Sequence, residues 1–339
     1  MKLYAGIDLH SNNSVVSVLD EQDRIVAEQR VRNDLDTIVQ LLEPYRPGLA
    51  GVVVESTFNW YWLVDGLMGA GHTVHLANTA AIGQYKGLKH TDDRHDARWL
   101  AHLLRLGLLR EGHIYPKAQR GVRDLLRKRS QLVRQRTANL LSVQNLIARE
   151  LGKQISANEI KKLVANDEQR WPVDSPFGLA IGAHLSVMRV LDEQISRIEK
   201  TVLAKARPRE EYAALSSIPG VGEILGLTIM LETGDIHRFA KPGQFASYCR
   251  CVGSQRISNG KKKGENNAKS GNRYLAWAFV EAANFARRYN ERIDRFYQRK
   301  KAKRNGAVAV KAVAHKLARA SFYVMRDRVP FDLDKAFSG

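Results

Sequence analysis

The chain has 339 residues, 44% of them hydrophobic and 26% charged, which excludes wholesale disorder and, at roughly 100–200 residues per domain, predicts about two domains. Its 54 Lys+Arg against 35 Asp+Glu leave a net charge of +19, so a polyanion is the first partner to expect. Two cysteines, Cys249 and Cys251, one residue apart, exclude a disulfide-built fold and a CxxC zinc site. The apolar start of the chain is broken by Asp8, and no run of 18 apolar residues follows. Secretion and membrane spanning are therefore not expected, and a cytoplasmic protein is. The charge is uneven: residues 1–112 hold 11 basic and 14 acidic side chains, residues 113–240 hold 20 and 14, and residues 241–339 hold 23 and 7. Chemistry in an acidic first module and polyanion binding in a basic last one is the division this suggests.

In chain order, residues 3–9, 14–19 and 24–31 read as three strands of an antiparallel meander. Residues 34–45 have helical spacing through Leu35, Ile38, Leu41 and Leu42, with Asn33 or Asp34 as N-cap. Residues 50–54 form a continuously apolar strand ending at Glu55. A helix over 60–70, a strand over 72–76 and a helix over 93–106 complete a β-β-β-α-β-α-β-α module, residues 1–112. Residues 121–151 and 179–205 are long helical patterns, predicted to pair as an antiparallel coiled-coil-like arm within residues 113–208. The polar stretch 152–176 between them reads as a turn. Residues 209–339 are predicted mainly helical, with a basic helical tail over 307–329.

Asp8 and Glu55 each end an apolar strand, and Asp93 and Asp96 lie three apart on one helical face. Parallel strands bring their C-terminal ends together, so four carboxylates can converge in an element order that matches a ribonuclease-H-like sheet. Such a cluster repels itself unless divalent cations neutralise it, and hard oxygen ligands select Mg²⁺ or Mn²⁺ for phosphoryl transfer. Any one of these acids alone is more readily a cap or turn residue, Asp93 as the cap of its own helix; Asp92 beside it is the acid most easily mistaken for a member of the set, and His10 and His95 are more readily packing or solvent-facing residues than ligands.

Residues 215–227, Leu-Ser-Ser-Ile-Pro-Gly-Val-Gly-Glu-Ile-Leu-Gly-Leu, have helix-hairpin-helix texture, in which Gly220 and Gly222 permit a tight turn able to hold a phosphate. Beyond it a Gly/Ser/Asn loop carries Lys261, Lys262, Lys263 and Lys269 and enters a helix at Arg273. Cations beside flexible glycines suit a nucleic-acid backbone. Composition does not choose a nucleophile among Ser254, Ser258 and Ser270.

Taken in order, Gly6-Ile7-Asp8-Leu9-His10, Val53-Val54-Glu55-Ser56-Thr57, Asp93-Arg94-His95-Asp96-Ala97, Ile218-Pro219-Gly220-Val221-Gly222 and Ser258-Asn259-Gly260 followed by Lys269-Ser270-Gly271-Asn272-Arg273-Tyr274-Leu275 resemble the DEDD insertion-sequence transposases related to Piv-type DNA invertases, the bridge-RNA-guided serine recombinases. The resemblance spans nearly the whole chain. It implies a RuvC-like α/β domain, a helical arm used in oligomerisation and a mainly α C-terminal transposase domain. Its acidic tetrad falls on Asp8, Glu55, Asp93 and Asp96 as Mg²⁺ ligands, and its serine on Ser258, with Ser254 in reserve because Asn259 stands where a Ser-Gly pair is commonest. Also implied are donor and target DNA, a structured guide RNA, a homodimer or homotetramer in which one subunit's acids serve another's serine, and a nucleoid-associated location. The rival readings are a RuvC-type nuclease that activates water, for which Ser258 is dispensable, and a non-enzymatic nucleic-acid scaffold, for which Asp8 is. A sugar kinase or actin-like ATPase ranks last, since no second phosphate loop accompanies the Gly-Ile-Asp strand.

Overall fold

The fold was analysed in a computed structural model that describes residues 1–79, 81–82, 92–166, 170–172, 174–206, 209–264 and 270–337. The chain divides into two compact units, Met1–Lys117 and Ala118–Gly339. No helix among the described residues is long and apolar enough to cross a membrane.

The first unit is built on a five-stranded sheet of order β3-β2-β1-β4-β5. β1 (Leu3–Leu9), β2 (Asn13–Asp20) and β3 (Ile25–Arg32) form the antiparallel meander. α1 (Leu35–Leu42) follows, capped by Asp34, whose carboxylate accepts from the Thr37 N–H. It leads to β4 (Leu49–Glu55), which runs parallel to β1; α2 (Tyr61–Gly69) then returns the chain to β5 (Val74–Ala77), parallel to β4. Alternation along the strands sorts the two faces. Ala5, Ile7, Val52 and Val54 pack with Ile38 and Leu42 of α1 and Leu63, Val64 and Leu67 of α2. The opposite face is covered by α3 (Asp93–Arg105), whose Leu100 meets Val53 and Ala77.

At Gly6, α3 comes very close to the sheet. A Cβ there would lie 2.0 Å from the Ala97 carbonyl oxygen and 2.8 Å from the Ala101 nitrogen, so only glycine lets helix backbone seat directly on strand backbone. Arginines fix the helix sideways: Arg98 donates to both Glu28 carboxylate oxygens at 2.5 and 2.7 Å, and Arg105 Nε to Asp23 at 2.7 Å.

In the second unit, α4 (Lys117–Leu151) and α6 (Pro176–Ala206) are joined by Arg129–Glu199 at 2.7 Å and Arg136–Asp192 at 2.5 Å. Partner numbers rise along one helix as they fall along the other, so the pair is antiparallel. The stretch read as a turn contains a further helix, α5 (Ala157–Asn166). Its Ile160, Leu163 and Val164 bury against Leu140, Val143 and Ile147 of α4 and Ile181, Leu185 and Met188 of α6; three apolar residues at helical spacing outweigh a polar composition when a groove is there to receive them.

The rest of this unit is α7 (Glu210–Leu215), α8 (Glu223–Thr233), α9 (Pro242–Tyr248), a hairpin of β6 (Arg256–Ser258) and β7 (Lys261–Gly264), α10 (Arg273–Tyr289), α11 (Glu291–Lys303), α12 (Gly306–Asp327) and the short α13 (Leu333–Ala336). α8 is buried from Leu225 to Thr233. Phe245, Phe279, Leu317 and Phe322 close the core around it.

Candidate active site

The parallel register pairs Ile7 with Val54, so the next residues, Asp8 and Glu55, leave neighbouring strands on the same face. Asp8 is paired across β1–β2 with Val15, and Val15 across β2–β3 with Arg30. One rung of the sheet thus carries Arg30, Val15, Asp8 and Glu55 on the side covered by α3. Asp92 caps that helix, accepting the His95 N–H at 2.8 Å. Asp93 and Asp96, in its first turn, are thereby left free for other work.

The four predicted carboxylates share one electrostatic field. Burial, then a hydrogen bond with Asp8 and the charges of Asp8 and Asp96, push Glu55 up to about 8. Burial and then the charge of Asp8, with smaller contributions from Asp93 and Asp92, raise Asp96 as well. Asp93 is held below the usual carboxylate range, chiefly by Arg30, whose Nη2 donates to its Oδ2 at 2.6 Å. Close like charges are thus relieved in two ways, by retaining a proton on Glu55 and by drawing in a guanidinium.

His10, expected to pack or face solvent, instead joins the cluster. Its Nε2 lies 3.1 Å from Asp8 and 3.3 Å from Asp93, yet it makes no aligned hydrogen bond to either carboxylate. The backbone beneath it is fixed by Asn33 and Asn59, whose amides donate to the His10 carbonyl at 2.9 and 3.0 Å. Ligand atoms of Asp8, His10 and Asp93 all lie within 4.8 Å of one another. An unaligned imidazole nitrogen beside crowded carboxylates fits a divalent cation: hard oxygens favour Mg²⁺, and one nitrogen admits Mn²⁺ equally well. Arg30 escaped the sequence reading, although counting register across three strands from Asp8 reaches it.

In the second unit, Ser258 closes β6 and pairs with Lys261 across a two-residue turn. Asn259 and Gly260 have φ of 50° and 68°, the left-handed pair that Asn-Gly supplies in tight hairpins. Ser258, Lys261 and Lys263 are exposed along the hairpin. Ser254, the reserve candidate, has a buried hydroxyl with no hydrogen-bond partner among the described residues. Lys269, and the side chain of Lys262, lie outside the described residues.

Gly220 (φ 81°) joins α7 to α8, and a Cβ on it would lie 2.3 Å from the Ala282 carbonyl oxygen of α10. Its glycine is needed for packing against that helix. Gly222, the N-cap residue of α8, has open space where a Cβ would be. Arg273, at the start of α10, donates to the Tyr274 hydroxyl at 3.1 Å.

A buried network went unpredicted beside this loop. Arg127 of α4 donates to both oxygens of Glu232 at 2.6 and 2.7 Å. The Asn272 amide donates to Glu232 at 2.7 Å, while its own oxygen caps α10 by accepting from Tyr274 N–H and Leu275 N–H at 2.8 and 3.1 Å. The loop's return point is thus fastened to α4 and α8. Glu232 sits within an apolar run, Ile-Met-Leu-Glu-Thr, and that setting was the available sign of a paired buried acid.

Residues 5–149 match a transposase family model of the DEDD, IS110 type, and residues 212–298 match the model described as transposase IS116/IS110/IS902 family. The chain is 26% identical over 288 residues to a Pseudomonas aeruginosa protein named "Probable family 20 transposase", covering 82% of each. It is 25% identical over 296 residues to the transposase for insertion sequence element IS1111A of Coxiella burnetii, covering 82% of this chain and 76% of that one.

Proposed function

We propose that this chain is a transposase of the IS110 type, a reading its family-model matches over residues 5–149 and 212–298 support, and that it cuts and rejoins DNA with a divalent-metal carboxylate site and a serine nucleophile. Asp8, Glu55, Asp93 and Asp96, with His10 beside them, would hold Mg²⁺ or Mn²⁺. When bound, the ion supplies a positive charge that polarises a phosphate and stabilises the departing oxygen. The observation that carries this reading is the convergence of carboxylates from β1, β4 and α3, in which Asp8 and Asp96 act on Glu55 and ligand atoms of Asp8, His10 and Asp93 lie within 4.8 Å of one another. Carboxylates that resist ionisation together are poised for a cation.

The Ser258 hydroxyl gives up its proton, its oxygen forms an ester to phosphorus, and a DNA hydroxyl leaves. A recipient strand's hydroxyl then displaces the serine oxygen, so the number of phosphoester bonds is conserved and no ATP is needed. Support for Ser258 over Ser254 comes from exposure: the former stands on the hairpin beside Lys261, the latter has its hydroxyl buried. Lys261, Lys262, Lys263, Lys269, Arg273 and the Gly222 turn would position backbone. Target choice by a structured RNA, and assembly as a dimer or tetramer with the arm as its contact, belong to the same proposal; the +16 of residues 241–339 serves RNA and DNA alike.

The test mixes protein, Mg²⁺, labelled donor and target DNA and RNA transcribed from the sequence flanking the gene. Strand joining is expected, lost in Asp8→Ala and in Ser258→Ala. Joining at the normal rate by Ser258→Ala removes the serine from the mechanism; cut but unjoined products from that variant favour water as the nucleophile.

A further inference from the structure

The helices α11 and α12 pack against each other, and residues 291–327 hold eleven Lys/Arg against three Asp/Glu. Lys300 of α11 and Lys316 of α12 approach the same ring, Phe296, and Arg319 follows Lys316 three positions on along one helix. The half-buried ammonium of Lys316 feels the charges of Lys300, Arg319 and Arg299, which, after burial, hold its pKa below the ordinary lysine value. His315, beside it, is lowered by burial and then by Arg319 and Lys316. Several acids in this segment and just after it are engaged elsewhere: Asp327 with Arg326, Asp294 with Gln298, Asp332 with Lys335 and Asp334 with Arg292. Among the described residues, Lys300, Lys316 and Arg319 form no ion pair with a carboxylate.

The cluster is also held in place. Lys316 Nζ donates to the Ala336 carbonyl at 2.7 Å and lies 5.2 and 5.3 Å from the ring centres of Phe296 and Phe337; Lys300 Nζ lies 5.5 Å from Phe296. Aromatic faces replace part of the ammonium's water. The rotamer freedom and hydration that an anion must normally displace are therefore already partly lost before it arrives. Fixed, partly dehydrated like charges cost the free protein stability, and an anion spanning them relieves that cost.

We propose that Arg299 and Lys300 of α11 with Lys316 and Arg319 of α12 form a seat for the phosphodiester backbone of duplex DNA. The seat is built from elements other than the serine hairpin and the α7–α8 turn. The inference rests on the reading of this chain as a DNA transposase, which makes duplex DNA the polyanion it must meet; a backbone contact here positions the duplex without reading its sequence.

The test measures binding of the full chain to an unrelated DNA duplex of about 30 base pairs in EDTA, across a KCl series. Lys300→Gln combined with Arg319→Gln removes two phosphate contacts and should reduce the slope of log K against log salt by about 1.8. Lys161→Gln with Lys162→Gln, an equal charge change on α5, should leave it unaltered. Without DNA the patch variant should melt no lower than the parent, because repulsion has been removed. An unchanged slope, an equal fall in the α5 control, a fall confined to an RNA duplex, or a lower melting point with binding intact each overturns the seat. Failure of the parent protein to bind duplex DNA at all overturns the functional reading instead.

Discussion

The substitution Gly6→Ala tests whether backbone contact between β1 and α3 is what assembles the carboxylates. The added Cβ would sit 2.0 Å from the Ala97 carbonyl oxygen, against an ordinary carbon–oxygen contact of about 3.4 Å. If the helix alone yields, it must retreat by roughly 1.4 Å, carrying Asp93 and Asp96 away from Asp8 and Glu55. Overpacking of this kind costs about 1–3 kcal/mol, which for a unit of this size is a melting decrease of roughly 4–12 °C. A displacement near 1 Å at reacting groups costs on the order of 100-fold in rate. Strand joining and Mn²⁺ binding, both measured well below either melting point, separate lost placement from lost folding. Since the obstructing atom is a main-chain oxygen, Ala97→Gly should not rescue the variant. A Gly6→Ala protein with parental Mn²⁺ affinity and a joining rate within about threefold of normal would refute the argument, for a misplacement this large should cost far more.

Four other outcomes are expected. Glu55, at about 8 in the fold against an ordinary 4.5, binds its proton more tightly folded than unfolded; in EDTA the stability it contributes is complete below 4.5 and lost as pH rises through 8, so the melting temperature should fall across that window, and a rise would contradict the sign. The same proton must leave for a cation to bind, so Mg²⁺ affinity by calorimetry should rise about tenfold from pH 7 to pH 9, with proton release near neutrality. Arg30→Ala removes the guanidinium that occupies Asp93 Oδ2 and should tighten Mn²⁺ binding; weaker binding would mean that Arg30 helps build the site. Glu232→Gln leaves the half-buried Arg127 without its counter-charge and should cost about 1–3 kcal/mol in chemical denaturation, whereas an unchanged midpoint would mark the pair as dispensable.

Much of the first unit was legible because its information is local. The apolar runs ending in Asp8 and Glu55, the cap at Asp34 and the DxxD spacing are each written within a few residues, and the sheet order follows from element order. What escaped depends on pairing at a distance. Arg30 reaches Asp93 only through the register of three strands, and His10 is drawn in by two carboxylates from different elements. The helix over Ala157–Asn166 has three apolar anchors in a polar segment, and they become decisive only when α4 and α6 frame a groove. In the loop after α9, the Asn259-Gly260 pair that turns the hairpin was read only as part of a loop, because a lysine-rich strand lacks the alternation that reveals β structure. Glu232 hid differently, as a charged letter in an apolar stretch whose partner Arg127 is far away in sequence.

Having Asp8 and Glu55 side by side on parallel strands gives the chain a parity rule. Deleting or inserting a single residue within either strand, upstream of its acid, would send that carboxylate through to the opposite face, among Ile38, Leu63 and Leu67. Two-residue changes would preserve the side while shifting the depth. Length variation in homologous chains should accordingly collect in the connections between strands, and any tolerated indel inside β1 or β4 should be even-numbered.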